Sequence, residues 1–163
     1  MEYTAAVITV SDKGSRGERV DTSGPALVEM LENDGYNVVY TKIVPDDYTE
    51  IVKELLYVSD QLKVSLALTT GGTGFFKRDI TPEATLSVIE RETRGIPEAM
   101  RAFSMTITPK ACLSREAAGI RGDTLIINLP GSKKASTENL SAVLSPVKHG
   151  IEILLGDSHN CGG

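Results

Sequence analysis

The sequence predicts an α/β fold in three layers, with a mainly parallel β-sheet between helices on both faces. Two observations carry that expectation. Short β-rich apolar runs alternate along the chain with segments whose apolar residues recur at helical spacing, and such alternation builds parallel sheets through helical crossovers. The runs are also almost continuously apolar, which marks strands buried on both faces.

Each element has its own signal. Ala5 to Val10 (AAVITV) reads as the first buried strand, and Ser11 to Ser23, rich in Gly, Ser and charges, as a loop. Gly24-Pro25 opens a helix in which Leu27, Met30 and Leu31 share a face and Gly35 is the stop. Tyr36 to Val44 is the second strand, ended by Pro45-Asp46-Asp47. The next helix places Ile51, Val52, Leu55, Leu56 and Leu62 on one face, with Asp47 and Glu50 resembling a capping box. Val64 to Thr70 is the third strand and runs straight into Gly71-Gly72-Thr73-Gly74. Thr81-Pro82-Glu83 supplies an N-cap, a first-turn proline and an early acid. A short helix is expected over Ile96 to Met105, a brief strand over Ala118 to Ile120 and a clear one over Leu125 to Leu129, ended by Pro130-Gly131. Ala135 to Leu155 is helical by spacing, with Pro146 expected to kink or split it.

The 163 residues, 17.5 kDa, are one domain's worth. No repeat or linker divides residues 1–163, and the tail from about residue 157 is expected to fray. Seventeen basic against 22 acidic residues give a net charge of −5, and Trp is absent. That balance argues against a nucleic-acid partner, which requires a basic footprint or stacking aromatics. It does not exclude a small anionic ligand in one cleft. No signal-peptide pattern and no membrane-length apolar run is present, so no membrane partner is expected and the expected location is the cytoplasm. Cys112 and Cys161 lack CxxC spacing and are expected as reduced thiols.

In sheets of this kind ligands sit beyond the carboxyl ends of the strands. Those ends carry Ser11-Asp12, Asp46-Asp47, Gly71 to Gly74 and Pro130-Gly131. The glycine turn allows close backbone approach, and its N–H groups with the Thr70 and Thr73 hydroxyls can line an anion nest. It is neither a Walker A loop nor GxGxxG. Asp46 and Asp79 suit a magnesium ion bound to a nucleotide, which takes one or two carboxylates. The structural alternatives are a helix cap for Asp46 or Asp47, and an Asx turn or an ion pair with Arg78 for Asp79. Arg115 can hold a phosphate and Asn128 can read a polar ligand edge, although each alone is more often structural. Lys13, Lys133 and Lys134 read as solvated surface and His149 as a bland helix position. A metal role for His159 and Cys161 has little support. With two histidines and no GxSxG motif, a nucleophile triad is not supported.

TTGGTG, RDITPEA, GIPEAMR and LSREAAGIRGDTLIINLPGS, in that order, resemble the MoaB/Mog family of molybdenum-cofactor biosynthesis proteins; ITVSD and VPDD fit as well. The resemblance runs from about Ala6 to Leu155, and GIRGDTLIINLPGS looks closer to the Mog-type adenylyltransferases than to the MoaB paralogues. It implies a Rossmann-like fold with a mixed sheet. It also implies joining of ATP and molybdopterin, with magnesium, into adenylated molybdopterin and pyrophosphate. By that pattern Asp46 and Asp79 match the acidic pair handling magnesium and phosphates. Gly71, Gly72, Thr73 and Gly74 match the nucleotide loop, Ser114 and Arg115 the SR step, Asn128, Pro130 and Gly131 the second ligand loop, and Ser11 and Asp12 the first strand end. A homotrimer, in some members a hexamer, and a downstream molybdenum-insertion partner belong to the same expectation. One departure is Lys133, where the adenylyltransferases usually carry proline. Two other readings stay open: a non-catalytic MoaB-like pterin- or nucleotide-binding oligomer, and a hydrolase akin to the competence-damage relatives.

Overall fold

The computed structural model describes residues 1–157, so His159 and Cys161 lie outside the described residues. The strands are β1 (Thr4–Val10), β2 (Asn37–Val44), β3 (Leu66–Thr70), β4 (Arg91–Glu92), β5 (Ala118–Arg121) and β6 (Thr124–Leu129). The helices are α1 (Asp12–Ser15), α2 (Ser23–Asn33), α3 (Tyr48–Leu56), α4 (Thr81–Val88), α5 (Gly95–Met105) and α6 (Lys133–Leu154). A π-helical turn, Tyr57–Gln61, extends α3, and a 3₁₀ turn, Pro109–Leu113, follows α5.

One six-stranded sheet has the order β2-β1-β3-β6-β5-β4. The pairs β1–β2, β1–β3 and β3–β6 are parallel, whereas β5 runs antiparallel to both β6 and β4. The mainly parallel, mixed sheet is therefore as expected. β1, β3 and β6 are buried on both faces because their successive side chains feed two different cores. Ala5, Val7, Leu66, Leu68, Leu125 and Ile127 pack with Leu27, Met100 and Leu140 of α2, α5 and α6. Ala6, Ile8, Ala67 and Ile126 pack with Ile51, Leu55 and Ala84 of α3 and α4.

Three local expectations change. The stretch after β1 is not all loop: Ser11 accepts from the Gly14 N–H and caps the short α1. Thr81 does not cap α4; its hydroxyl donates to the Gly71 carbonyl instead. Pro146 does not split α6, which runs unbroken through it. Leu140, Val143, Val147 and Ile151 are buried on both sides of the proline, while Pro146 itself is exposed, so packing holds the helix and water can take the freed carbonyl. Lys133 is the first residue of α6, a position that favours proline. Here the Ser132 hydroxyl caps the helix by accepting from the Ala135 N–H at 3.2 Å.

The chain steps from β1 to β2 on one side and places β3 on the other side of β1. The loops after β1 and β3 therefore diverge from adjacent strand ends, which is the switch point where open α/β sheets bind ligands.

Candidate active site

The glycine loop after β3 is held almost entirely through its carbonyls. The Gly71 carbonyl accepts from the Thr81 hydroxyl at 2.9 Å and the Gly72 carbonyl from the Thr81 N–H at 3.1 Å. The Thr73 carbonyl accepts from the Arg115 N–H at 2.9 Å and the Gly74 carbonyl from Arg115 Nε at 2.8 Å. Gly71 donates its N–H to the Leu129 carbonyl. Among the described residues, no protein acceptor takes the N–H of Gly72, Thr73 or Gly74. A loop with its acceptors tied back and consecutive donors unclaimed is an anion nest. Positive φ at Gly71 (109°) and Gly72 (68°) makes the turn possible.

Beside this loop lies a cleft of about 580 Å³ lined by Ser11, Asp46, Thr70, Gly71, Gly72, Thr73, Gly74, Asp79 and Gly131. Nine of the expected site residues thus meet in one cavity. Asp12 stands behind it. Its N–H donates to Asp46 Oδ2 at 2.9 Å, and the Asp46 N–H donates to Asp12 Oδ1 at 3.0 Å, a reciprocal clasp between the ends of β1 and β2. Arg78 forms a bidentate ion pair with Asp12, not with Asp79. Asp79 accepts from the Phe76 N–H at 2.9 Å, the Asx-type contact that shapes its own loop. Asp47, not Asp46, caps α3 by accepting from the Glu50 N–H.

Burial raises the pKa of Asp46 above the usual carboxylate range; the Asp12 N–H opposes that, while the negative charges of Asp12 and Asp79 add to it and Arg78 subtracts. A half-buried carboxylate facing two others is a place where a cation is favourable. Among the described residues, no three His, Cys, Asp or Glu side chains converge into a metal cage. Two carboxylates on one cleft fit magnesium carried by a phosphate ligand, since that ion keeps water and phosphate oxygens in its other positions.

Two expected ligand contacts are placed otherwise. Asn128 is fully buried and spends its side chain on protein: Nδ2 donates to the Thr69 and Thr85 hydroxyls at 2.9 and 2.8 Å, and Oδ1 accepts from the Ala117 N–H at 3.1 Å. Arg115 also turns inward, onto the Gly74 and Asp79 carbonyls and the Glu83 carboxylate. Both brace the site. Replacing Asn128 with alanine orphans three buried groups and is expected to cost about 2–3 kcal/mol of stability. Urea denaturation measures it, and a loss below about 0.5 kcal/mol would remove Asn128 from that role. Thr70 likewise donates its hydroxyl to the Pro130 carbonyl at 2.7 Å, tying the loops after β3 and β6 together.

The opposite rim of the cleft, Arg19 to Ser23, falls in the stretch that the sequence predicts as loop. It contributes Arg19, whose guanidinium has no carboxylate partner among the described residues, and Asp21, which accepts from the Thr9 hydroxyl at 2.7 Å and the Gly24 N–H at 3.0 Å. The only available signal was the rim's place directly after the first strand end.

Ser114 and Pro130 line a second cavity of about 300 Å³, on the other side of the same glycine loop; Thr73 and Gly74 border both spaces. Glu116, absent from the expected site, is buried in its wall.

A doubly wound sheet with an anion nest and paired carboxylates at its switch point is the geometry of an α/β domain suited to a phosphorylated ligand. The chain belongs to the family described as a probable molybdopterin binding domain, which matches residues 6–149. A molybdopterin adenylyltransferase of Helicobacter pylori is 42% identical over 153 residues, covering 93% of this chain and 87% of that protein. Gephyrin of Dictyostelium discoideum is 44% identical over 94% of this chain, which spans only 23% of that longer protein. The crystal structure of the molybdopterin biosynthesis enzyme MoaB from Thermus thermophilus superposes with a TM-score of 0.90 at 45% identity, covering 94% of this chain and 97% of that one. No helix among the described residues is long and apolar enough to cross a membrane.

Proposed function

We propose that this chain is a molybdopterin adenylyltransferase of molybdenum-cofactor biosynthesis, transferring AMP from ATP to the terminal phosphate of molybdopterin and releasing pyrophosphate. The observation that carries the reading is the glycine loop itself. Its unclaimed amides and the paired carboxylates border one cavity, and two of its residues border a second, so two ligands can meet across it. The adenylyltransferase relative spans nearly the whole chain and supports the same activity.

The chemistry asks for little acid–base work. The pterin's phosphate monoester, with a second pKa of about 6, is largely dianionic at neutral pH. One of its oxygens bonds to the α-phosphorus of ATP as the bond from that phosphorus to the bridging oxygen breaks, and pyrophosphate leaves with the electron pair. The protein's task is to align two anions and to offset charge that grows on the phosphoryl oxygens. The Gly72, Thr73 and Gly74 amides supply fixed donors, and Arg19 supplies a cation. Asp46 and Asp79 would hold magnesium, which neutralises phosphate charge when bound. The braces on the loop (Thr81 and Arg115) keep those donors in place during transfer.

In the same reading the chain works as a homotrimer in the cytoplasm. Incubation with ATP, magnesium and molybdopterin is expected to yield pyrophosphate and adenylated pterin. Binding without turnover would favour the MoaB-like, non-catalytic alternative, and free AMP formed without pterin would favour a hydrolase.

A further inference from the structure

Asp12 and Arg78 sit on the loops that form the acidic cleft, yet neither borders the cavity that Asp46 and Asp79 line. Arg78 spends its guanidinium on Asp12, with Nε donating to Oδ2 at 2.5 Å and Nη2 to Oδ1 at 2.9 Å. The Asp46 N–H also donates to Asp12 Oδ1. Both Asp12 oxygens are therefore committed to protein donors, and the expected ligand contact is not free to be one. The Arg78 side chain is 63% exposed, and an exposed ion pair adds little stability. Its effect lies in what it holds.

The pair holds the two cleft carboxylates in one frame. Asp12 returns its own N–H to Asp46 Oδ2 at 2.9 Å, which leaves Asp46 Oδ1 as the oxygen facing the glycine loop; a Cβ on Gly72 would stand 3.3 Å from it. Asp79, next to Arg78 in the chain, lies against Gly74 in the same way, and a Cβ there would come within 2.8 Å of Asp79 Oδ2. Among the described residues, no other side-chain hydrogen bond joins residues 72–79 to residues 11–14 or 45–47. One guanidinium thus sets the loop that carries Asp79 against the strand ends that carry Asp46. A bidentate pair suits that task, because its planar fork fixes direction as well as distance.

We propose that Arg78 is a positioning residue for adenylyl transfer: by gripping Asp12 it fixes the separation of the Asp46 and Asp79 carboxylates and keeps Asp12 from swinging into the cleft as a third. The assignment rests on the adenylyltransferase reading for the reaction and for magnesium at Asp46 and Asp79. Charge and position predict opposite signs. Arg78 is a positive charge beside a cation site, so by charge alone its removal tightens divalent-cation binding. By position, its removal loosens that binding, as the loss of a residue that orients metal ligands does.

Manganese, a magnesium substitute visible to electron paramagnetic resonance, is titrated into the full chain with saturating α,β-methylene-ATP and no pterin. R78Q is expected to bind it about tenfold more weakly than wild type, with an unchanged urea midpoint and less than about a twofold loss of nucleotide affinity in EDTA. R78K recovers only part of the loss, because an ammonium cannot hold both Asp12 oxygens in a fixed fork. K77Q removes the same charge from the same exposed loop and is expected to bind manganese as wild type does. In turnover R78Q lowers kcat about tenfold and leaves KM for molybdopterin unchanged. Manganese bound as tightly or more tightly by R78Q, an equal loss in K77Q, or an equal loss of nucleotide in EDTA would each overturn the proposal. Should R78Q not fold, R78K decides: it must bind manganese at least about threefold more weakly than wild type. If the manganese loss is present but wild type forms no pyrophosphate from ATP and molybdopterin, the transferase reading falls and the hold of Arg78 on the carboxylates stands. Turnover in wild type without a manganese loss in R78Q has the opposite meaning.

Discussion

Gly71→Ala is expected to destabilise the fold by about 3–5 kcal/mol, a large share of the roughly 5–15 kcal/mol that holds a typical domain. Two independent costs combine. The residue has φ of +109°, where a side chain is strained by roughly 1–3 kcal/mol. A Cβ there would also overlap the Val10 carbonyl oxygen, which is backbone of the central strand β1 and cannot rotate away. Overpacking of that kind costs about 1–3 kcal/mol more. Gly122→Ala is the control. That glycine also has positive φ (53°), but nothing lies within 4 Å of its would-be Cβ, so only about 1 kcal/mol is expected. Urea midpoints of the two variants, compared at unchanged m-value, measure the difference. Equal losses would show that the close approach of the loop to β1 contributes nothing.

This close approach explains how much of the site could be read from residues alone. β1, β3 and β6 were legible because two-sided burial writes a continuous apolar run, and the strand ends located Asp46 and Gly71 to Gly74 without any tertiary knowledge. What residue types do not reveal is where a long or forked side chain spends its donors. Arg115 reaches the Gly74 and Asp79 carbonyls, and Asn128 reaches Thr69 and Thr85, across 36 or more positions of sequence. Residue type alone favours a structural role for each, but only the structure shows which groups they hold. Glu116 is the converse case. Flanked by Arg115 and Ala117, it carries no local mark of burial, and only the packing of α5 and α6 around it makes its carboxylate conspicuous. The hidden elements were short: α1 depends on one serine cap, and β4 on pairing with β5 through two residues.

Asp46→Asn is expected to lower adenylyl transfer by about a hundredfold, and Asp79→Asn by at least tenfold, with both variants folded. An amide keeps the contacts the structure assigns to each side chain, because a carbonyl oxygen can still accept from the Asp12 N–H or the Phe76 N–H. Only the negative charge facing the cleft is lost. Stability should move the opposite way from activity for Asp46. Its folded-state pKa is raised, so the protonated form is favoured in the native state and stability is lost as pH rises through that value. Removing the charge removes that loss, and Asp46→Asn should melt at or above the wild-type temperature at neutral pH. The magnesium concentration for half-maximal rate should rise in both variants, which a merely structural role would not produce. Asp47→Asn separates the site from its neighbour: it keeps the α3 cap, costs at most about 0.5 kcal/mol, and should leave turnover unchanged. Near-normal turnover in Asp46→Asn, or an equal loss in Asp47→Asn, would mean that the charge of Asp46 is not what the phosphates meet.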